Sequence, residues 1–282
     1  MIRLSQSPTA PDFVQAPYPF YARARSAGDL VWWTDYDMPM ATSFGAVNSI
    51  LRDRRFGREP VTPRDVPAHL APFYAVEAHS MLELEAPRHT RLRSLVLRAF
   101  TSRRIAGLAP EVATLAHELI DAFPKGEFDL LPAFATRIPV IIIARLLGVP
   151  ERMADQLLAW SNAMVGMYKA GRDRAREDAA IAATEAFVAF LRAYVEDRRA
   201  DPRDDLITRL IRAEEEGTRL STDELITTCI LLLNAGHEAT VHALANAVKL
   251  LLETGVRPTA ENAETLVEET LRLDPPLHMF TR

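Results

Sequence analysis

Residues 221–254 read STDELITTCILLLNAGHEATVHALANAVKLLLET. The stretch opens on a capping box: the Ser221 hydroxyl can accept from the backbone N–H three residues on, and Glu224 can reach back. It closes before Gly255 and Pro258, both helix-stop signals. At about 30 residues, such a helix spans roughly 45–50 Å, longer than a small domain is wide. From Leu225 to Leu233 it is apolar almost all round, which predicts burial on most faces. Yet Asn234, Ala235, Gly236, His237 and Glu238 stand at its centre. A mid-helix glycine costs about 1 kcal/mol against alanine. Burying Glu238 costs more unless it is paired or protonated. A buried helix that breaks its own pattern halfway along marks the place to look for function.

The rest of the composition sets bounds. The chain has 282 residues, 48% of them hydrophobic, and a formal net charge of −5. That is enough chain for a large core or two lobes. The mildly acidic balance argues against a nucleic-acid binder. A single cysteine, Cys229, excludes an internal disulfide and fits a reducing compartment. The apolar run Val140 to Ile143 is too short to span a bilayer, and the N-terminus lacks the apolar core of a signal peptide. The expectation is a cytoplasmic protein with no membrane partner.

Working outward, the pattern predicts a mainly helical chain with one small sheet near the N-terminus. Residues 1–17 are Pro-rich and read as extended. Tyr18–Ala27 and Phe44–Arg52 read as helices, with strands at Leu30–Thr34 and Met38–Thr42 between them. Arg54–Ser80 holds four prolines and no clear period, which predicts a long functional loop. Helices are then expected at Arg88–Phe100, Arg103–Phe123 (capped by Thr101 or Ser102), Ala133–Leu147, Glu151–Tyr168, Arg172–Ala200, Asp204–Glu216 and Ala263–Leu273. A short extended piece is expected at Glu127–Leu130.

Three constellations carry chemistry. In Ala235-Gly236-His237-Glu238-Ala239-Thr240, two small residues let a flat ligand approach the backbone, and an acid and a hydroxyl beside them can move protons. A core helix with a packing glycine and a satisfied acid explains the same residues equally well. A zinc protease is excluded: His242 lies five residues after His237, about 140° round the helix, so both rings cannot meet one metal. Glu238 and His242, four apart, can pair. In Glu85-Ala86-Pro87-Arg88-His89-Thr90-Arg91-Leu92-Arg93, His89 and Arg93 share a helix face and can hold a carboxylate or phosphate. Arg88, Arg91 and Arg98 read as a solvated basic face. In Glu269-Thr270-Leu271-Arg272, the spacing allows a salt bridge worth a few tenths of a kcal/mol if exposed.

In this order, the three motifs resemble the cytochrome P-450 family of haem-thiolate monooxygenases, in its soluble bacterial form. His89 to Arg93 followed by Ala99-Phe100-Thr101-Ser102-Arg103-Arg104 is similar to that family's C helix and the start of its D helix. LLLNAGHEAT (231–240) is similar to its oxygen-binding I helix. EETLRLDPP (268–276) is similar to its ExxR helix, and LHMFTR (277–282) to a pocket-lining strand. The resemblance covers nearly the whole chain, read as one incomplete domain over 1–282. It implies that His89, Arg93 and Arg282 hold the haem propionates and that Ala235, Gly236 and Ala239 face the distal side. Glu238 would be the proton-delivering acid. Glu269 and Arg272 would be structural. Leu231, Asn234, Leu277, Met279 and the 54–80 loop would shape the pocket of a small, mainly apolar substrate. The implied reaction inserts one oxygen atom of O2 into a C–H or double bond, with electrons from a ferredoxin-type donor docking on Arg88, Arg91, Arg98, Arg103 and Arg104.

Two departures from the family pattern qualify the resemblance. Ala239 stands at the usual alcohol position, and the hydroxyl follows at Thr240, about 100° round the helix. A relay of water and Glu238, with Thr240 acting indirectly, is the reading that follows. The sequence also ends at Arg282, before the family's haem-ligand cysteine loop. Cys229 on the central helix reads as a core residue rather than a substitute. The expectation is therefore a chain without a metal ligand, inactive alone. The alternatives are a haem-free all-α fragment that binds or self-associates over exposed core, and one that holds haem loosely without a thiolate.

Overall fold

The computed structural model describes residues 1–62, 65–100, 102–215 and 217–281, with the side chains of 102–104 and 214–215 outside the description. It divides into two compact units. Of the described residues, the smaller unit comprises 1–62, 168–173 and 281. Its sheet has the order β1 (Ile2–Leu4), β2 (Leu30–Trp33), β3 (Met38–Ala41). Strands β1 and β2 run parallel, with Ile2 opposite Val31, and β2 and β3 form an antiparallel hairpin. Helices α1 (Pro11–Gln15), α2 (Tyr18–Ala27) and α3 (Phe44–Arg52) complete it.

The expected α2, β2, β3 and α3 are all present. Residues 1–17 correct the reading of a uniformly extended segment. Ile2–Leu4 joins the sheet, and Pro11, which suits the first turn of a helix, starts α1. The Trp33 indole donates to the Gln6 carbonyl at 2.7 Å and ties this segment down.

The larger unit holds α4 (Ala71–Glu77), α5 (Arg88–Ala99), α6 (Ser102–Asp121), α7 (Arg137–Leu147), α8 (Ala154–Val165), α9 (Arg174–Ala200) and α10 (Leu206–Arg212). A two-stranded hairpin, β4 (Glu214–Glu215) and β5 (Thr218–Arg219), precedes α11 (Thr222–Thr254) and α12 (Ala263–Leu273). The N-terminal half of α11 is the centre of the main core. Leu225, Ile226, Cys229, Ile230 and Leu233 pack with Leu92 and Leu95 of α5, Phe187 and Leu191 of α9, and Leu210 of α10. The capping box at Ser221 and Glu224 forms as its residues require.

The 54–80 loop is a correction. It contains a 3-10 turn at Ala68–Leu70 and the helix α4, which bury Leu70, Phe73 and Val76. The prolines hid the pattern, because Pro72 sits in the first turn of α4, where its missing N–H costs nothing. The Asp204–Glu216 helix is also shorter than expected. Asp205 caps α10 through the Thr208 N–H at 2.8 Å, and the chain turns into the hairpin after Arg212. Residues 277–280 form no strand; the described residues offer them no neighbouring strand to pair with. Nor is there a strand at 127–130; a π-helical turn, Leu131–Ala135, leads into α7 instead.

Candidate functional site

Burial along α11 changes sharply after Leu233. Residues 225–230 and Leu233 are buried, whereas Ala235 and Gly236 are exposed, so the helix presents nearly bare backbone there. The Gly236 position is less open on its other side: a Cβ there would meet Ile143 Cδ1 of α7 at 3.5 Å. Ala239 lies one turn on from Ala235, on the same face, and is half-buried. Asn234 has a buried amide oxygen with no hydrogen-bond partner among the described residues. Leaving such an oxygen unmade costs about 1–3 kcal/mol, which a ligand's donor or a water would relieve.

The polar groups beyond this bare stretch form a connected series. His237, 2% exposed, places Nδ1 3.3 Å from the Ser161 hydroxyl of α8. Burial lowers the His237 pKa, and the Glu238 carboxylate opposes this only in part. Glu238 approaches His237 Nε2 at 4.0 Å and His242 Nε2 at 3.4 Å. The Thr240 hydroxyl donates to the Gly236 carbonyl at 2.9 Å. Its proton is therefore committed, and its lone pairs remain free to accept. Sequence reasoning used His237 only to reject a zinc site. Its burial and its bond to Ser161 come from a helix 76 residues away in sequence.

On α5, His89 is half-buried and Arg93 exposed. Neither side chain has a hydrogen bond or ion pair among the described residues, so both can receive an anionic group. Arg91 corrects the expectation of a solvated face. It pairs with Glu224 inside the α11 capping box, partly buried. Burial alone would raise the Glu224 carboxyl, but the bonds from Arg91 and the Ser221 N–H hold it below the usual range. Arg88 donates to the Ala78 carbonyl at 2.8 Å, and Arg98 is exposed. The side chains of Arg103 and Arg104, the cap at Thr101, and Arg282 lie outside the described residues.

Glu269 and Arg272 form the expected pair, bidentate at 2.8 and 2.6 Å, on the exposed side of α12. Leu231 is half-buried, and Leu277 and Met279 are exposed. Asn246 of α11 donates to the Asp274 carbonyl at 2.9 Å, which ties the end of α12 to the central helix. Cys229 is fully buried, and burial pushes its thiol up to about 12. It is a core residue and offers no thiolate to a ligand. Among the described residues, no cluster of three His, Cys, Asp or Glu side chains could hold a metal ion, and no helix is long and apolar enough to cross a membrane.

The residues present fit the distal face and acidic arms of a haem. A bare helical surface flanks an amide without a partner among the described residues, and His89 and Arg93 lie one turn apart on α5, open to an anion. No axial ligand is among them.

No family model matches the chain. Curated relatives do. The cytochrome P450 monooxygenase PikC of Streptomyces venezuelae is 33% identical over 96% of this chain and 65% of its own length. Cytochrome P450 107B1 of Saccharopolyspora erythraea is 35% identical over 86% of this chain and 57% of its own length. The chain thus spans about two thirds or less of these relatives. Among solved structures, the myxobacterial cytochrome P450 CYP267B1 in complex with myristic acid superposes with a TM-score of 0.79 at 34% identity, covering 94% of this chain and 69% of that one. P450BioI in complex with an acyl carrier protein gives a TM-score of 0.85 at 28% identity, covering 93% and 69%.

Proposed function

The chain belongs to the cytochrome P450 family, and from that premise we propose that it forms the distal half of a cytoplasmic haem monooxygenase acting on a small, mainly apolar organic molecule. The observation that carries the reading is the abrupt change on α11 from an enclosed apolar rod to bare backbone at Ala235 and Gly236.

When bound, haem supplies the activation of O2 and the transfer of one oxygen atom to a C–H or double bond. The chain's own residues supply the rest. His89 and Arg93 neutralise and orient the haem carboxylates. Ala235, Gly236 and Ala239 keep the distal surface free of side chains that would block a diatomic ligand. Glu238 holds a proton beside that surface, and water carries it on, because Ala239 has no hydroxyl and Thr240's proton is bound to the Gly236 carbonyl. Asn234 offers a donor on the substrate the oxygen that has no partner among the described residues, and Leu231, Leu277 and Met279 supply apolar surface. Glu269 and Arg272 brace α12. A ferredoxin-type electron donor fits the basic face that retains Arg88 and Arg98. The exposed apolar side chains Val267, Leu273, Leu277 and Phe280 favour self-association when nothing covers them.

A haemin titration tests the reading. We expect saturable binding, weakened about tenfold or more by Arg93→Ala and by His89→Ala, as loss of a charge-assisted hydrogen bond implies. Binding of equal strength in all three proteins would overturn the assignment. An absence of binding would leave the haem-free, self-associating fragment as the better description of the chain.

A further inference from the structure

One group in the polar series on α11 has no role in the proposal above. His242 sits one turn beyond Glu238, with its side chain 56% exposed. Glu238 is 31% exposed and His237 3%. Accessibility therefore falls in steps along one series: His242 in solvent, Glu238 at the boundary, His237 enclosed. The two imidazoles address different carboxylate oxygens. His242 Nε2 is 3.4 Å from Oε2, and His237 Nε2 is 4.0 Å from Oε1. The inner ring is fixed at its other nitrogen by Ser161, which is fully buried on α8. Its position is therefore set by packing between two helices rather than by the carboxylate.

We propose that His242 is the solvent-side proton donor that reloads Glu238, and that His237, held by Ser161, is the positioning residue that fixes which way the carboxyl points. The proposal rests on the reading of Glu238 as the proton-delivering acid. In the step itself, imidazolium His242 breaks its Nε2–H bond as the proton bonds to Glu238 Oε2. A neutral imidazole and a neutral carboxyl remain. Solvent water then returns a proton to His242, so charge and atoms balance with no other reactant. An exposed ring exchanges protons freely with solvent. A half-buried carboxylate exchanges less readily. The ring at i+4 is close enough to couple the two.

The first test uses the 282-residue chain without haem. With labelled histidine at mildly alkaline pH, long-range proton–nitrogen NMR reads each ring's tautomer. We expect His242 to carry its proton on Nε2 in the wild type and to lose that preference in Glu238→Gln, with His237 unchanged. The same tautomer mixture for His242 in both proteins would overturn the coupling. The second test uses a haem-loaded form that also carries an axial thiolate, which the described residues do not supply, and reads product formed per electron consumed. We expect His242→Phe to lower that ratio several-fold and added imidazole to restore it. Glu238→Gln should lower it without rescue. If only Glu238→Gln has an effect, His242 is not the donor and the role of Glu238 stands. If Glu238→Gln matches the wild type, the reading of Glu238 as the acid fails, and this inference with it.

Discussion

Replacing Gly148 with alanine should be among the most damaging single-methyl additions in this protein. Gly148 ends α7 in the left-handed region, at φ 87°. A Cβ there would lie 2.3 Å from Asp205 Oδ2 and 2.4 Å from Asp205 Cβ. Asp205 cannot step aside cheaply. Its carboxylate accepts from Arg198 Nε at 2.7 Å and from the Thr208 N–H at 2.8 Å, and both members of the ion pair are buried. The Gly148 carbonyl is also engaged, by the Tyr194 hydroxyl at 2.5 Å and by Arg198 Nη2 at 3.2 Å. The left-handed backbone costs alanine about 1–2 kcal/mol. Displacing one partner of a buried ion pair costs about 3–5 kcal/mol. The sum, about 4–7 kcal/mol, is a large share of the roughly 5–15 kcal/mol that stabilises an ordinary domain. Gly255 is the control. It caps α11 at φ 69°, and a Cβ added there would meet nothing within 4 Å, so Gly255→Ala should cost only the backbone part, about 1–2 kcal/mol. Urea unfolding followed by tryptophan fluorescence compares the two. If they lose stability equally, the clash with Asp205 is not what makes Gly148 necessary.

Three further outcomes are expected. Ser221→Ala and Arg91→Ala should each cost about 1 kcal/mol, and the double variant less than their sum, because both act through Glu224; strictly additive urea midpoints would contradict this. The folded pKa of His237 is lowered by burial, so the unfolded chain binds the extra proton first. Its contribution to stability is complete above the unfolded value of about 6.5 and is lost as pH falls toward the folded value. His237→Gln should flatten that part of the stability–pH curve, and an unchanged slope would count against the assignment. The Cys229 thiol, pushed up to about 12 and enclosed, should resist iodoacetamide in the native protein and react once urea unfolds it; rapid native labelling would show that the α11 core opens.

Residues with strong local chemistry made the helices readable. Ser221 with Glu224, Gly148 and Gly255 fix where α7 and α11 begin or end, because caps and left-handed turns depend on the residues themselves. The family motifs on α5, α11 and α12 were readable for the same reason: each keeps its chemistry-bearing residues within a turn or two. The reading failed where partners are distant in sequence. Residues 68–77 form a helical segment because Leu70, Phe73 and Val76 find a core to enter, which a proline-rich string does not show. Arg91 looked like a surface charge until the fold brought Glu224 to it, 133 residues away.

The sequence by itself determined the mainly helical class, the long central helix and its break at Ala235 and Gly236. Those follow from periodicity, caps and residue size, all of which act over a few residues. Only the tertiary structure decided which polar groups are enclosed and with whom. It set Ser161 against His237, left the Asn234 oxygen without a partner among the described residues, and locked Arg198 and Asp205 around Gly148. Burial and pairing depend on distances between segments, and no local pattern carries that information.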